Sequence, residues 1–464
     1  MPSEFFAGGG PQALFCRARS MSEQAVGQGR ERILNRTHMK NLLSEVLKHE
    51  VYPAMGCTEP VAVAFAAATA AKLLKGKTTG VLIKTDPGTY KNGLAVAIPN
   101  TSGQKGNLLA AAVGAVARKP ELGAELFKGL PAARLKEASA LLRAGRARIE
   151  VDYKKRGIYI SAEVTAGRNK ALCVLEGSHN RVSLLRLNGK TLTKTGGPGK
   201  KTALPYKEAL RKAAFKDLFR AAENVKPAEL AYIRRGVDMN LAASREGLKL
   251  KKVGYYIEDL IKKGYLKRDI LSNAKLTAAA AADARMAGVP VPVMSSGESG
   301  NQGVVAVLVP WLVGKAFGVP EKRILKSIAL SHLVNSYIKV FTGELAPICG
   351  CAVAAGVGAS VAIVWQRAGG DARKTALAVN TVISDIGGMI CDGAKSGCAL
   401  KVASSADSAI RAAWMASNGE GITDAEGFIG DSAEATIKNI SRISSLGMEK
   451  VDSIILDIMS RKRP

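Results

Sequence analysis

The sequence predicts an α+β protein: an N-terminal α/β region with a small antiparallel sheet, and an all-helical C-terminal domain. Three observations carry that prediction. Between residues 148 and 187, four short runs alternate apolar and polar side chains and are broken by basic or glycine turns, as half-buried strands are. From Ile270 onward the alternation stops, and apolar residues recur at helical spacing or fill whole segments. Aromatic residues make up only 5% of the chain while alanine and glycine are abundant, which favours close-packed helices over a large β-sandwich.

Residues 1–38 lack sustained periodicity and are expected to be an extension, or a misassigned start, outside the folded unit. Their arginines resemble those of a targeting peptide, but Glu4, Glu23 and Glu31 argue against one. Leu42, Leu43, Val46 and Leu47 place a helix over 40–49. A second helix is expected over 60–74, where Thr58 or Glu59 can cap it and Pro60 suits its first turn. Residues 81–85 and 94–98 read as strands. The stretch 100–107 is a polar glycine loop, either ordinary turn chemistry or backbone N–H groups facing an anion. Strands are then expected over 148–153, 158–164, 171–176 and 182–187, with His179 in the loop before the last. Residues 189–201 read as a linker or long turn, and 207–262 as basic helices. The expected domains are 39–268 and 269–464.

Composition narrows the function classes. A chain of 464 residues with 47% apolar side chains can bury large cores. Seven cysteines, an odd number, do not make a secreted disulfide framework, and a reducing, cytoplasmic setting is expected. The net charge of +28 serves either solubility or an acidic partner. The basic residues run from Arg17 to Arg463 without interleaved aromatics, so no specific nucleic-acid partner is expected. No membrane span is expected either: the apolar stretch 304–319 contains Pro310 and Lys315 and falls short of about 20 residues. The expected partner is a small amino-acid substrate, and a homodimer is compatible with the sequence.

The chemistry concentrates between Ile348 and Leu400, which hold four of the cysteines. Cys351, Cys391 and Cys398 fall at the ends of apolar segments or in a glycine turn, where three thiolates can point at one object. Such a set fits an iron–sulfur cluster that leaves one iron open to act as a Lewis acid. Buried cysteines are also ordinary small hydrophobes, and the spacing matches neither a compact ferredoxin run nor a zinc signature. Cys349 and Cys351, two apart, would point in different directions on a helix, so only one is expected to be a ligand. Cys57 precedes the second helix, where the helix dipole is expected to lower its pKa. The loop from Met294 to Gly303 offers Ser299, Asn301 and Gln302, donors and acceptors suited to an amino-acid carboxylate and amine. On the following helix Asn335 and Lys339 share a face with His332 and are candidates for the same role.

Taken together, Gly56-Cys57-Thr58-Glu59-Pro60, Ser299-Gly300-Asn301-Gln302-Gly303, Cys349-Gly350-Cys351 and Cys391-Asp392-Gly393-Ala394-Lys395-Ser396-Gly397-Cys398 resemble the L-cysteine desulfidase family. That family is related to the iron–sulfur L-serine dehydratases. The resemblance runs from about residue 39 to the C-terminus. It implies conversion of L-cysteine to pyruvate, ammonia and sulfide with one 4Fe–4S cluster per subunit and no pyridoxal phosphate. It also implies Cys351, Cys391 and Cys398 as ligands and Cys57 as the group that takes the Cα proton. The extension and the basic balance are not family features. The competing readings are an iron–sulfur L-serine dehydratase, a non-enzymatic iron–sulfur redox sensor, and a helical protein with inert cysteines.

Overall fold

The computed structural model describes residues 41–155, 157–195 and 204–461; the proposed extension 1–38 lies outside them. The first described helix, Leu42–Glu50, buries Leu42, Leu43, Val46 and Leu47 along one face, as their spacing requires. The second, Thr58–Lys72, is alanine-rich and buried nearly all round. It packs on the helix Asn107–Ala117 and against a six-stranded sheet. Small side chains allow that close approach: at Gly114 a Cβ would come within 2.1 Å of the Ala64 carbonyl oxygen.

Numbering the strands in chain order, β1 is Pro53–Ala54, β2 Gly80–Thr85, β3 Ala147–Val151, β4 Tyr159–Ala166, β5 Asn169–Glu176, β6 Val182–Leu187, β7 Lys190–Lys194 and β8 Val293–Met294. The sheet runs β3-β2-β4-β5-β6-β7. Ile160, Ala162 and Val164 of β4 and Ala171, Cys173 and Leu175 of β5 share one apolar core with the Thr58–Lys72 helix. This period of two fixes the register, because a slip of one residue would turn that face to solvent.

Three expectations need correction. The sheet is mixed, not purely antiparallel: β2 lies between the edge strand β3 and β4 and pairs in parallel with β3, while the other ladders are antiparallel. The strand expected over 94–98 does not form. Asp86 accepts a hydrogen bond from the Thr89 amide at 2.9 Å and Pro87 occupies the first turn, so a helix runs from Pro87 to Leu94. Only an isolated bridge, Ala97 to Lys105, remains. The linker expected over 189–201 begins with β7, because Asn188 and Gly189 both take positive φ and close a tight hairpin with β6; residues 196–203 lie outside the described part.

The C-terminal region is helical as expected, apart from the two-residue β8, which pairs with β1. Val353–Ala368 lies at its centre, packed on Gly300–Ala316, Glu321–Thr342, Ala372–Ile386 and Cys398–Ser417. The helices Pro205–Lys212 and Phe215–Glu223 join this same core; the rings of Phe215 and Tyr337 meet edge-on at 5.7 Å. Among the described residues no helix is long and apolar enough to cross a membrane.

Candidate active site

The site lies where the N-terminal and C-terminal helices meet, and backbone pairing builds it. The helix Glu321–Thr342 stops at Gly343, whose φ of +89° suits glycine. The chain returns along residues 389–391: the Cys349 amide donates to the Met389 carbonyl at 2.7 Å, and the Cys391 amide to the Pro347 carbonyl at 2.6 Å. That pairing sets Cys349 and Cys351 beside Cys391. Cys398 opens the helix Cys398–Ser417. The loop between is held from below by Lys91, whose ammonium is 2% exposed and donates to the Cys391 carbonyl at 2.7 Å and to Asp452 at 2.6 Å. Gly393 is required there, because a Cβ would come within 2.5 Å of the Lys91 carbonyl oxygen.

Cys349 and Cys351 lie in a turn and not on a helix, so the directional rule for helical side chains does not apply to them. The mutual influence of the two thiols holds Cys349 below the ordinary thiol range and Cys351 above it. Burial pushes Cys391 up to about 11, and Cys398 upward as well. A thiolate at Cys349 raises the pKa of both, so the thiols are electrostatic neighbours.

A cavity opens over this corner. Cys349, Cys351 and Cys391 line it together with Ser299, Gln302 and Lys339. Ser299 precedes the helix Gly300–Ala316, and its hydroxyl lies 3.9 Å from the Cys351 sulfur. Gln302 and Asn301 are buried, and among the described residues their side-chain oxygens have no hydrogen-bond partner. Asn335 and Lys339 support the loop: Asn335 donates to the Ser296 hydroxyl at 3.0 Å, and Lys339 to the Gly297 carbonyl and, at 2.6 Å, to Glu344. His332 lies beneath them, and burial lowers its pKa to about 3, so it is neutral.

Cys57 is the residue before the Thr58–Lys72 helix, as expected, but the helix end does not lower its thiol pKa. Burial, followed by the charge of Glu59, pushes the thiol well above its ordinary value and outweighs the helix end. Its sulfur donates to the Glu59 carboxylate at 2.8 Å. Cys57, Cys398, Val96 and Met286 belong to one small apolar cluster.

Sequence reasoning missed the carboxylates. Glu59 was read only as a cap, yet Cys57, Thr58 and Asn92 all donate to it. Burial works against its charge, but His179 and these bonds hold it below the usual carboxylate range. Glu298, at a φ of +61°, accepts from His179 Nδ1 and from the Ser178 hydroxyl, each at 3.1 Å. Burial opposes its ionisation too, and the bond and charge of His179, with Lys207 and Lys339, hold it well below the ordinary range. Burial alone would lower the His179 pKa; the bond and charge of Glu298 outweigh it and raise it. Both His179 and Glu298 line the cavity. A glutamate within the Ser295–Gly303 run of small and polar residues was the one signal available for Glu298.

Among the described residues no three His, Cys, Asp or Glu side chains converge on a single metal ion. A four-iron cluster poses a different demand, because each thiolate binds its own iron. Cys349, Cys351 and Cys391 line the cavity; Cys398, from a third segment, donates its thiol to the Gly393 carbonyl at 3.7 Å and is not among the cavity-lining residues.

The family model described as serine dehydratase alpha chain matches residues 154–457. A UPF0597 protein of Elusimicrobium minutum is 56% identical over 91% of this chain and 99% of its own length. A UPF0597 protein of Geobacter sulfurreducens is 52% identical over the same shares, and one of Alkaliphilus oremlandii 39% identical over 91% of this chain and 98% of its own length.

Proposed function

The chain belongs to the serine dehydratase alpha chain family, and on that premise we propose that it is a lyase that carries out α,β-elimination on an L-amino acid. Its substrate is L-cysteine, and the products are pyruvate, ammonia and sulfide. The observation that carries this reading is the shared cavity, in which the thiols of Cys351 and Cys391 face the Ser299 and Gln302 side chains.

Cys351, Cys391 and Cys398 would hold a 4Fe–4S cluster, which supplies a Lewis-acid iron with an open position. The protein side of the reaction follows from the other residues. The Ser299 hydroxyl and the Gln302 oxygen are placed to receive the substrate ammonium, while Lys339 and His179, paired with Glu344 and Glu298, line the part of the cavity left for its carboxylate. Cys57 takes the Cα proton. It can do so only after losing its own; its sulfur lies 2.8 Å from the Glu59 carboxylate, which lines the cavity where Cys57 itself does not. The buried wall of the cavity limits water, which strengthens each of these interactions.

L-Serine is the second reading, favoured by the family description; its hydroxyl would leave from the same position. The test is anaerobic purification followed by pyruvate and sulfide assays. Pyruvate and sulfide from L-cysteine support the proposal. Pyruvate from L-serine alone would transfer the same site to dehydration, and a colourless, inactive protein would refute both.

A further inference from the structure

One charge in the cavity wall lacks a counter-ion. The wall's cations are all answered: Lys91 by Asp452 at 2.6 Å, His179 by Glu298 at 3.1 Å, and Lys339 by Glu344 at 2.6 Å. Glu59 lines the same cavity and is only 6% exposed. Among the described residues no cation lies within ion-pair distance of its carboxylate. His179 acts on it only from farther off and is already bonded to Glu298. A buried anion held by neutral groups alone is costly, and a cation entering the cavity relieves that cost.

The hydrogen bonds show where such a cation would sit. Asn92 donates to Glu59 Oε1 at 2.8 Å, while the Cys57 thiol and the Thr58 hydroxyl donate to Oε2 at 2.8 and 3.1 Å. An ionised carboxylate offers about four acceptor sites, so the one left open is on Oε1, which has a single donor. Asn92 is itself held in place, because its neighbour Lys91 on the helix Pro87–Leu94 donates to the Cys391 carbonyl at 2.7 Å. A second acceptor belongs to the same wall: the Gln302 side-chain oxygen is buried and has no partner among the described residues. A charged acceptor and a neutral one together suit a protonated amine, which carries several N–H donors and one positive charge.

We propose that Glu59 is the anion that binds the α-ammonium of the substrate, with Gln302 and Ser299 as its neutral companions, and that it makes a protonated amine a requirement for binding. The inference rests on the amino-acid elimination reading above. It extends that reading to selectivity, because the site would reject a thiol acid that lacks the amine. The ammonium nitrogen is bonded to Cα, so holding it at Glu59 Oε1 brings Cα to the side of the cavity where Cys57 is bonded to the same carboxylate.

The test uses the full-length, anaerobically purified protein and two small thiols. Cysteamine keeps the ammonium and lacks the carboxylate; 3-mercaptopropionate keeps the carboxylate and lacks the ammonium. Wild type is expected to be inhibited by cysteamine in competition with L-cysteine. Glu59→Gln keeps the volume and removes the charge. It is expected to raise the KM for L-cysteine and the inhibition constant of cysteamine by about tenfold or more. Its iron content and its inhibition by 3-mercaptopropionate are expected to match wild type. Glu59→Asp, which retains the charge, is expected to lie between the two in its response to cysteamine. Equal losses for both thiols would make Glu59 a structural residue and overturn the proposal. A lower kcat with KM and cysteamine inhibition unchanged would overturn it as well. If Glu59→Gln does not fold, wild type alone carries the test: inhibition by 3-mercaptopropionate without inhibition by cysteamine would overturn the proposal. Turnover of L-serine alone would leave the ammonium site in place, with ethanolamine and 3-hydroxypropionate as the matching probes. A wild-type protein that turns over neither amino acid would overturn the functional reading and this inference with it.

Discussion

Asp452 is remote from the cavity in sequence, yet its removal should disturb the Cys391 loop. Its partner Lys91 is 2% exposed, and the two side chains meet at 2.6 Å. Deleting one member of a buried ion pair leaves the other uncompensated, at a cost of about 3–5 kcal/mol. Asp452 itself is 20% exposed, so water reaches the edge of the pair and the lower end of that range, about 3 kcal/mol, is expected for Asp452→Ala. Adding Lys91→Met removes the orphaned ammonium and should recover roughly half of the loss. The remainder is the Cys391 carbonyl, left without its 2.7 Å donor, which costs about 1–3 kcal/mol. Urea unfolding followed by circular dichroism and tryptophan fluorescence measures both terms, provided the two probes give coincident transitions. Asp452→Ala with wild-type stability, or a double variant less stable than Asp452→Ala, would refute the reasoning.

Three further outcomes are expected. Alanine at Cys351, Cys391 or Cys398 should abolish or sharply reduce iron content, whereas Cys173→Ala, in the sheet core, should lower stability and leave iron unchanged; a full complement of iron in Cys391→Ala would remove that residue from the ligand set. Cys57→Ser should keep iron and the visible spectrum while deuterium exchange at the substrate Cα stops, and Glu59→Gln should slow that exchange; loss of iron in Cys57→Ser would make Cys57 a ligand. The His179–Glu298 pair gives a pH window. The His179 pKa is raised above its ordinary 6.5, so its share of stability is complete below that value and is lost as pH rises through the folded pKa. The Glu298 pKa is depressed below 4.5, so its share is present above that value and is lost as pH falls through the folded pKa. The stability difference between wild type and Glu298→Gln should therefore be largest between about pH 4.5 and 6.5 and shrink on either side; a difference that does not vary with pH would exclude the ion pair.

Local pattern made much of this protein legible. The buried faces of Leu42–Glu50 and Thr58–Lys72 follow from spacing, and the alternation in β4 and β5 marks the side that meets the helix. Pattern failed where a local signal was overlooked. Asp86-Pro87 opens a helix that consumes the start of the expected 94–98 strand, and Asn188-Gly189 turns the expected linker into a hairpin. It also failed where pairing is long-range. Nothing in β2 or β3 alone says that they lie side by side in parallel, because the crossover runs through the helices Asn107–Ala117 and Ala132–Arg143. The candidate site divides in the same way. Cysteines at segment ends draw notice by themselves. Glu298 acquires meaning only from His179, 119 positions earlier, and Lys91 only from Cys391 and Asp452.

The Lys91–Asp452 contact also bears on how the molecule is made. Synthesis proceeds from the N-terminus, at about 5–20 residues per second. Lys91 therefore leaves the ribosome well before the 361 further residues that bring its counter-ion. Until the helix Val451–Ser460 docks, the ammonium must stay hydrated, and the segment carrying Cys391 lacks its lower support. A chain synthesised only as far as Ser417 holds every thiol of the candidate site but lacks the ion pair that supports the Cys391 loop.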